Sequence, residues 1–217
     1  MYLLAAATDM ELAPVKKALS LCQGVDFLKT GVGPVNAAYS LARYLAENKG
    51  EIDGVINFGV AGAYLDSGLN LLDVCLAESE ILADLGICIA EVVDPFDEET
   101  LDIQTEFDLS NPLFDRVRSF LQEANISFRH GPFVTVNCVS GTSSRGNMLR
   151  VAHKALCENM EGAAVARVCH GFGIDCLELR SVSNLVEDRD PSAWQLVEAC
   201  EAAGLHAAQI VKYLLKD

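Results

Sequence analysis

Short apolar runs alternate with amphipathic stretches along the whole chain. Runs of six to nine residues at 2–7, 25–30, 54–59, 72–80, 131–136 and 176–182 read as strands, with a shorter strand-like piece at 155–157. Helical spacing of apolar positions covers 12–21, with Pro14 in its first turn, then 34–48, 113–124, 145–152 and 162–172. A long closing helix is expected over 191–215, with Asp190 as its N-cap and Pro191 at its first position. The stretch 84–112 carries Asp94-Pro95-Phe96-Asp97-Glu98-Glu99 and Asn111-Pro112 and reads as an acidic loop region. Strand and helix alternating in this way predict an α/β fold: one domain over 1–217, three-layered α/β/α, with a mixed central sheet. No repeat, low-complexity tract or linker divides it.

Composition refines this picture. The 217 residues are 51% hydrophobic, enough to fill a core of this size. The net charge of −15 makes nucleic acid and anionic membranes poor partners; a small molecule or another subunit fits better. Eight cysteines lie scattered, most of them in apolar runs and none in a C-x-x-C pair, as expected of free thiols in a reducing cytoplasm rather than a disulfide scaffold. The apolar start is too short for a signal peptide or membrane span and ends at Asp9 and Glu11. His130, His153, His170 and His206 have no metal-ligand spacing, so neither metal nor cofactor is expected.

In folds of this class the ligand lies beyond the carboxyl ends of the strands. The unusual residues gather there. Thr30-Gly31-Val32-Gly33-Pro34-Val35-Asn36 joins a strand to a helix, but Asn36 stands where a dinucleotide fingerprint needs its third glycine, so a tight turn is the better reading. Asn57-Phe58-Gly59-Val60-Ala61-Gly62 ends a strand in small residues that let a ligand approach the backbone, or that simply pack closely. Asn159-Met160-Glu161-Gly162 sets a carboxylate at a helix start, where compensation of the helix dipole is the ordinary role. Arg180-Ser181-Val182-Ser183-Asn184 ends a strand in polar groups, and Asn there is ordinarily a turn residue. Glu11 has an equally plain reading as surface charge.

In this order and spacing, with Ala7-Thr8-Asp9-Met10-Glu11 at the front, these motifs make the chain resemble the nucleoside phosphorylase and nucleosidase family of purine enzymes, from the first strand to the last helix. The resemblance implies roles. Glu11 would be the general base on the attacking water. Met160 and Glu161 would hold the ribose, the glutamate on its hydroxyls. Asn184 would grip the purine at its N7 edge, with Ser183 beside it, and Ala61 and Gly62 would contribute backbone near the base. Val139 falls where adenine-specific members carry a stacking aromatic. The resemblance also implies a homo-oligomer. Phosphorylases of the family often carry Gly-Asp-Pro and a nearby arginine after the first strand. Here Asp9-Met10-Glu11 stands in that place, with no basic residue before Lys16, and a carboxylate there would repel phosphate; water is the expected nucleophile. Adenine-specific members have Asp where Asn184 stands, and an amide suits a 6-oxopurine. Arg145 is a candidate to meet an anionic 5′ group, and the loop 94–99 a candidate to cover that side, though a solvated loop is its ordinary state.

Overall fold

The computed structural model describes residues 1–48, 50–89 and 92–216. The chain opens with β1 (Tyr2–Ala6), α1 (Asp9–Ala18), β2 (Val25–Lys29) and α2 (Pro34–Glu47). β3 (Gly54–Tyr64) and β4 (Val74–Leu82) follow, then a hairpin of β5 (Gly86–Ile89) and β6 (Val92–Pro95), the single turn α3 (Glu98–Leu101) and β7 (Glu106–Asp108). The second half runs α4 (Pro112–Glu123), β8 (Arg129–Thr135), α5 (Ser143–His153), β9 (Cys157–Asn159), α6 (Gly162–Phe172), β10 (Cys176–Val186) and α7 (Leu196–Leu214).

Eight strands form one mixed sheet in the order β10-β4-β8-β9-β3-β1-β2, with β7 on the edge of β4. β10 also pairs with β3, so the five strands β3, β9, β8, β4 and β10 close on themselves while β1 and β2 extend the sheet outward. Side chains of β1 alternate between the two faces, as the period of a strand requires. Leu3 and Ala5 join α2 and α6 in one apolar cluster. Tyr2, Leu4 and Ala6 join α1, α4 and α7 in another. These are the three expected layers.

Several boundaries differ from the sequence reading, each for a local reason. α1 starts three residues earlier because Thr8 caps it: the hydroxyl accepts from the Glu11 N–H, and the Glu11 carboxylate accepts from the Thr8 N–H, a capping box. Pro14 therefore lies inside the helix rather than in its first turn. β3 and β10 run on to Tyr64 and Val186 through small and polar residues, which an apolar pattern does not reveal. β9 sits two residues later than expected, and so takes in Glu158 and Asn159. Asp190 does cap a helical turn, but a separate 3-10 turn at Pro191–Ala193; the closing helix begins at Leu196. The acidic stretch is not all loop: it contains the β5–β6 hairpin, α3 and β7, while Ala90 and Glu91 within it lie outside the described residues. None of the eight cysteines is joined in a disulfide. Among the described residues no helix is long and apolar enough to cross a membrane.

Candidate active site

A cavity of about 310 Å³ opens beside the ends of β1, β3, β9 and β10, within the size range of small-molecule sites. Glu11, Ala61, Gly62 and Val139 line it, together with Met160, Glu161, Ser183 and Asn184. The residues singled out in the sequence, which lie as far apart as 11 and 184, thus meet in one place.

The capping box fixes Glu11. One carboxylate oxygen accepts from the Thr8 N–H at 2.9 Å and the Thr8 hydroxyl at 2.8 Å; the other accepts from the Val60 N–H at 3.2 Å. Its residue is only 5% exposed, which overturns the surface-charge reading. Gly59 makes this placement possible. A Cβ at Gly59 would run into the nearer Glu11 oxygen and stand 2.8 Å from Arg180 Nη1. Gly59→Ala is expected to shift the carboxylate by a fraction of an ångström to an ångström and lower kcat by on the order of 10²-fold. Steady-state turnover beside a circular-dichroism melt checks it; turnover within twofold of the parent would show that this spacing is not needed.

Glu161 is held differently. It ends the turn before α6, and its carboxylate accepts from the Gly33 N–H at 2.9 Å. Gly31 and Gly33 have φ of 86° and 90°, conformations that favour glycine, and this left-handed turn aims the amide. The glycine turn is thus both a tight strand-to-helix connection and a support for Glu161. Burial raises the Glu161 carboxyl above its usual range; the Arg180 guanidinium 3.8 Å away and the Gly33 amide pull it back.

Beneath the cavity floor lies a polar network that the sequence reading did not identify. Arg180, almost fully buried, donates from Nε to Glu178 at 2.8 Å and from Nη2 to the Asn159 side-chain oxygen at 3.2 Å. Burial works against its charge, but Glu178, Glu161 and Glu11 outweigh this and hold it protonated. Asn159 also accepts from the N–H groups of Glu161 and Gly162, and its amide nitrogen donates to Glu80. Thr135 donates to Glu80 at 2.8 Å. Burial, then the nearby Glu178 charge, raises the Glu80 carboxyl well above the usual range. Gly162 has no side chain because its Cα faces Glu80 and Glu178 directly. Buried charges joined in this way fix geometry: removing one partner typically costs about 3–5 kcal/mol.

The end of the cavity at Asn184 is set by a strand irregularity. The β3–β10 register shifts at Ser183, so that Val182 pairs with Ala61 and Asn184 with Gly62. A bulge of this kind re-aims a side chain. Asn184 then has its two amide ends distinguished: Oδ1 accepts from the Ser183 hydroxyl at 2.9 Å and Nδ2 donates to the Leu185 carbonyl at 3.2 Å. Glu158 lines the same end. It accepts from the Ser140 N–H and the Ser140 hydroxyl, each at 2.7 Å, and from the Tyr64 hydroxyl at 3.1 Å. Burial raises its carboxyl above the usual range, against those donors and the Arg145 guanidinium.

Two expectations change. Arg145 does not line the cavity: its guanidinium donates to the Cys138 carbonyl at 3.3 Å, where it stands near Glu158 and Tyr64. The cation in the lining is Arg189, stacked on Trp194 with 4.7 Å from its guanidinium carbon to the ring centroid. No residue of 94–99 lines the cavity either. Among the described residues Trp194 is the one aromatic side chain in the lining.

Residues 16–216 match the family model of the phosphorylase superfamily. The chain is 34% identical over 195 residues to a futalosine hydrolase of Thermus thermophilus, covering 89% of this chain and 82% of that one. It is 36% identical over 187 residues to a futalosine hydrolase of Streptomyces coelicolor, covering 84% and 76%. A solved futalosine hydrolase mutant of Helicobacter pylori superposes with a TM-score of 0.86 over 98% of both chains, at 19% identity.

Proposed function

We propose that this chain, which belongs to the phosphorylase superfamily and is one of its N-glycosyl hydrolases, cleaves futalosine to hypoxanthine and dehypoxanthine futalosine, a step of menaquinone biosynthesis. The observation that carries the reading is Glu11: a carboxylate held by three donors inside the same cavity as Glu161 and Asn184.

Cleavage of an N-glycosidic bond leaves a ribose with oxocarbenium character and a purine with excess electrons. Three tasks follow. A base must take a proton from water as it attacks the anomeric carbon, and the ordered, cavity-lining carboxylate of Glu11 supports that role. The sugar hydroxyls need a fixed acceptor, and Glu161, braced by Gly33 and Arg180, supplies one. As electrons pass to the departing base N7 takes up a proton from solvent, and the oriented amide of Asn184 can then accept from N7–H through Oδ1 while Nδ2 donates to O6. Phosphate is the weaker nucleophile candidate: among the described residues the lining holds three carboxylates, Glu11, Glu158 and Glu161, against the single cation Arg189.

Futalosine differs from inosine by a 5′ extension ending in a benzoate. Arg189 on Trp194 suits a carboxylate carried on an aromatic ring. Arg189→Ala is expected to raise KM for futalosine about 10-fold to 10²-fold and to leave inosine nearly unchanged. Initial rates on both substrates check this; equal changes would place the benzoate elsewhere. The exposed apolar side chains of Met10, Val32 and Val139 also line the cavity, and a second copy of the chain would cover such a rim. The reading as a whole is tested by incubation with futalosine, inosine and 5′-methylthioadenosine. Hypoxanthine released fastest from futalosine is expected; a preference for 5′-methylthioadenosine would make the chain an adenine nucleosidase.

A further inference from the structure

Glu80 and Glu178 are fully buried carboxylates that no step of the proposed cleavage uses. They lie on the neighbouring strands β4 and β10 and meet beneath the first residue of α6. A Cβ at Gly162 would collide with Glu80 Oε1 and with Glu178 Oε2 alike, so these two oxygens lie around one point. They differ in what they already bind. Glu80 Oε1 accepts from the Asn159 amide, and Glu80 Oε2 accepts from the Thr135 hydroxyl at 2.8 Å. Glu178 Oε1 accepts from Arg180 Nε at 2.8 Å. Among the described residues Glu178 Oε2 is buried with no hydrogen-bond partner. A buried acceptor that faces another carboxylate needs a donor.

The charges indicate which group supplies it. The cation of this network is Arg180, and Glu178, Glu161 and Glu11 already surround it. Glu80 receives hydrogen bonds from neutral groups, Thr135 and Asn159. Were it ionised, it would be a further buried anion beside Glu178 without a counter-charge of its own, and two carboxylates in one dry site do not both ionise. A proton on Glu80 Oε1 removes the excess charge and gives Glu178 Oε2 its missing donor, while the same oxygen still accepts from Asn159. The consequence reaches the cavity. Asn159, held in this way, accepts through its side-chain oxygen from the N–H groups of Glu161 and Gly162 and from Arg180 Nη2.

We infer that Glu80 and Glu178 are positioning residues that share one proton, and that this acid–carboxylate pair sets Glu161 by holding Asn159 and Arg180 in one arrangement. The task assigned to Glu161 rests on the proposed nucleosidase reading; the shared proton does not.

An amide distinguishes the two members. In Glu178→Gln the amide oxygen keeps Arg180 Nε, and the NH₂ takes the place of Oε2 and donates to Glu80, which gives its proton to solvent and becomes the anion. The hydrogen bonds of the network and its net charge are retained. In Glu80→Gln one contact fails in either orientation: an NH₂ at the Oε1 place cannot accept from Asn159, and an oxygen there faces the Glu178 acceptor. Glu80→Gln is therefore expected to have a kcat/KM on inosine about 10-fold to 10²-fold below that of Glu178→Gln. Equal values, or the reverse order, overturn the inference. A second measurement reads the proton itself. Infrared difference spectra at neutral pH, variant against parent in H₂O and D₂O, are expected to show each variant losing one un-ionised carboxyl C=O band that shifts on deuteration. Loss of a carboxylate band instead would mean that both groups are ionised, with water joining Glu178 to the unpaired amide nitrogen of Asn57 on the adjacent strand, and overturns the inference. Should Glu80→Gln not fold, the spectrum of Glu178→Gln decides alone. Failure of the nucleosidase reading looks different: the wild-type chain would release no base from inosine or futalosine, and the carboxyl band would still be present.

Discussion

Glu11→Gln is expected to lower kcat by about 10²–10⁴-fold while the chain folds and binds substrate as before. The size follows from the role. An amide cannot take a proton from water at neutral pH, so the attack loses its base outright. Stability is retained because glutamine also completes the capping box with Thr8, and a cap contact is worth only about 1 kcal/mol. With the amide oxygen on the Thr8 N–H, the NH₂ faces the Val60 N–H and only that 3.2 Å contact is lost. Arg180 keeps Glu178 and Glu161 as its counter-charges. Single-turnover rates on futalosine, with a thermal melt of both proteins, check the prediction. Turnover within tenfold of the parent would assign the base to another group.

Asn184→Asp is expected to move the base preference from hypoxanthine towards adenine by as much as roughly 10⁴-fold, taken as the change in the ratio of kcat/KM on inosine and adenosine. The local geometry gives the sign. The Ser183 hydroxyl continues to donate to one oxygen. The other oxygen takes the place of Nδ2, 3.2 Å from the Leu185 carbonyl. In the pose where Nδ2 meets the 6-position, the oxygen that replaces it accepts from the adenine 6-amine, while the first oxygen faces N7 and accepts from it once N7 is protonated. The donor to O6 is lost at the same time. An unchanged ratio would show that Asn184 does not read the 6-position.

The layers and most elements were legible because apolar period is a strong signal in β1, α2, α4 and α6. The site was legible for a different reason. Its residues cluster after strand ends, and the motifs around Glu11, Glu161 and Asn184, each with an ordinary reading on its own, carry the family resemblance in their order and spacing. What was not legible is the pairing of polar residues buried inside strands. Glu80, Glu178 and Arg180 lie at strand positions that a one-dimensional pattern assigns to a solvent face; only the fold brings them together beneath Gly162. Arg145 and Arg189 show the same limit. Both are arginines among polar residues, Arg145 in the first turn of α5 and Arg189 in a loop, and the choice between them depends on the turn at Pro191–Ala193, which lets Gln195 donate to the Ser183 carbonyl at 2.8 Å and lays Trp194 against the cavity. The bulge at Ser183 likewise has no signature in composition, although it sets where Asn184 points. Glu158 was overlooked because β9 begins later than its apolar residues suggest.

The central claim is that water, taken by Glu11, attacks the sugar. The direct test is to turn over futalosine in ¹⁸O-labelled water, with and without millimolar phosphate, and to follow both products by mass. The account predicts hypoxanthine release at the same rate in both conditions, with one ¹⁸O in the sugar product. A rate that depends on phosphate, with an unlabelled sugar 1-phosphate as product, would contradict it.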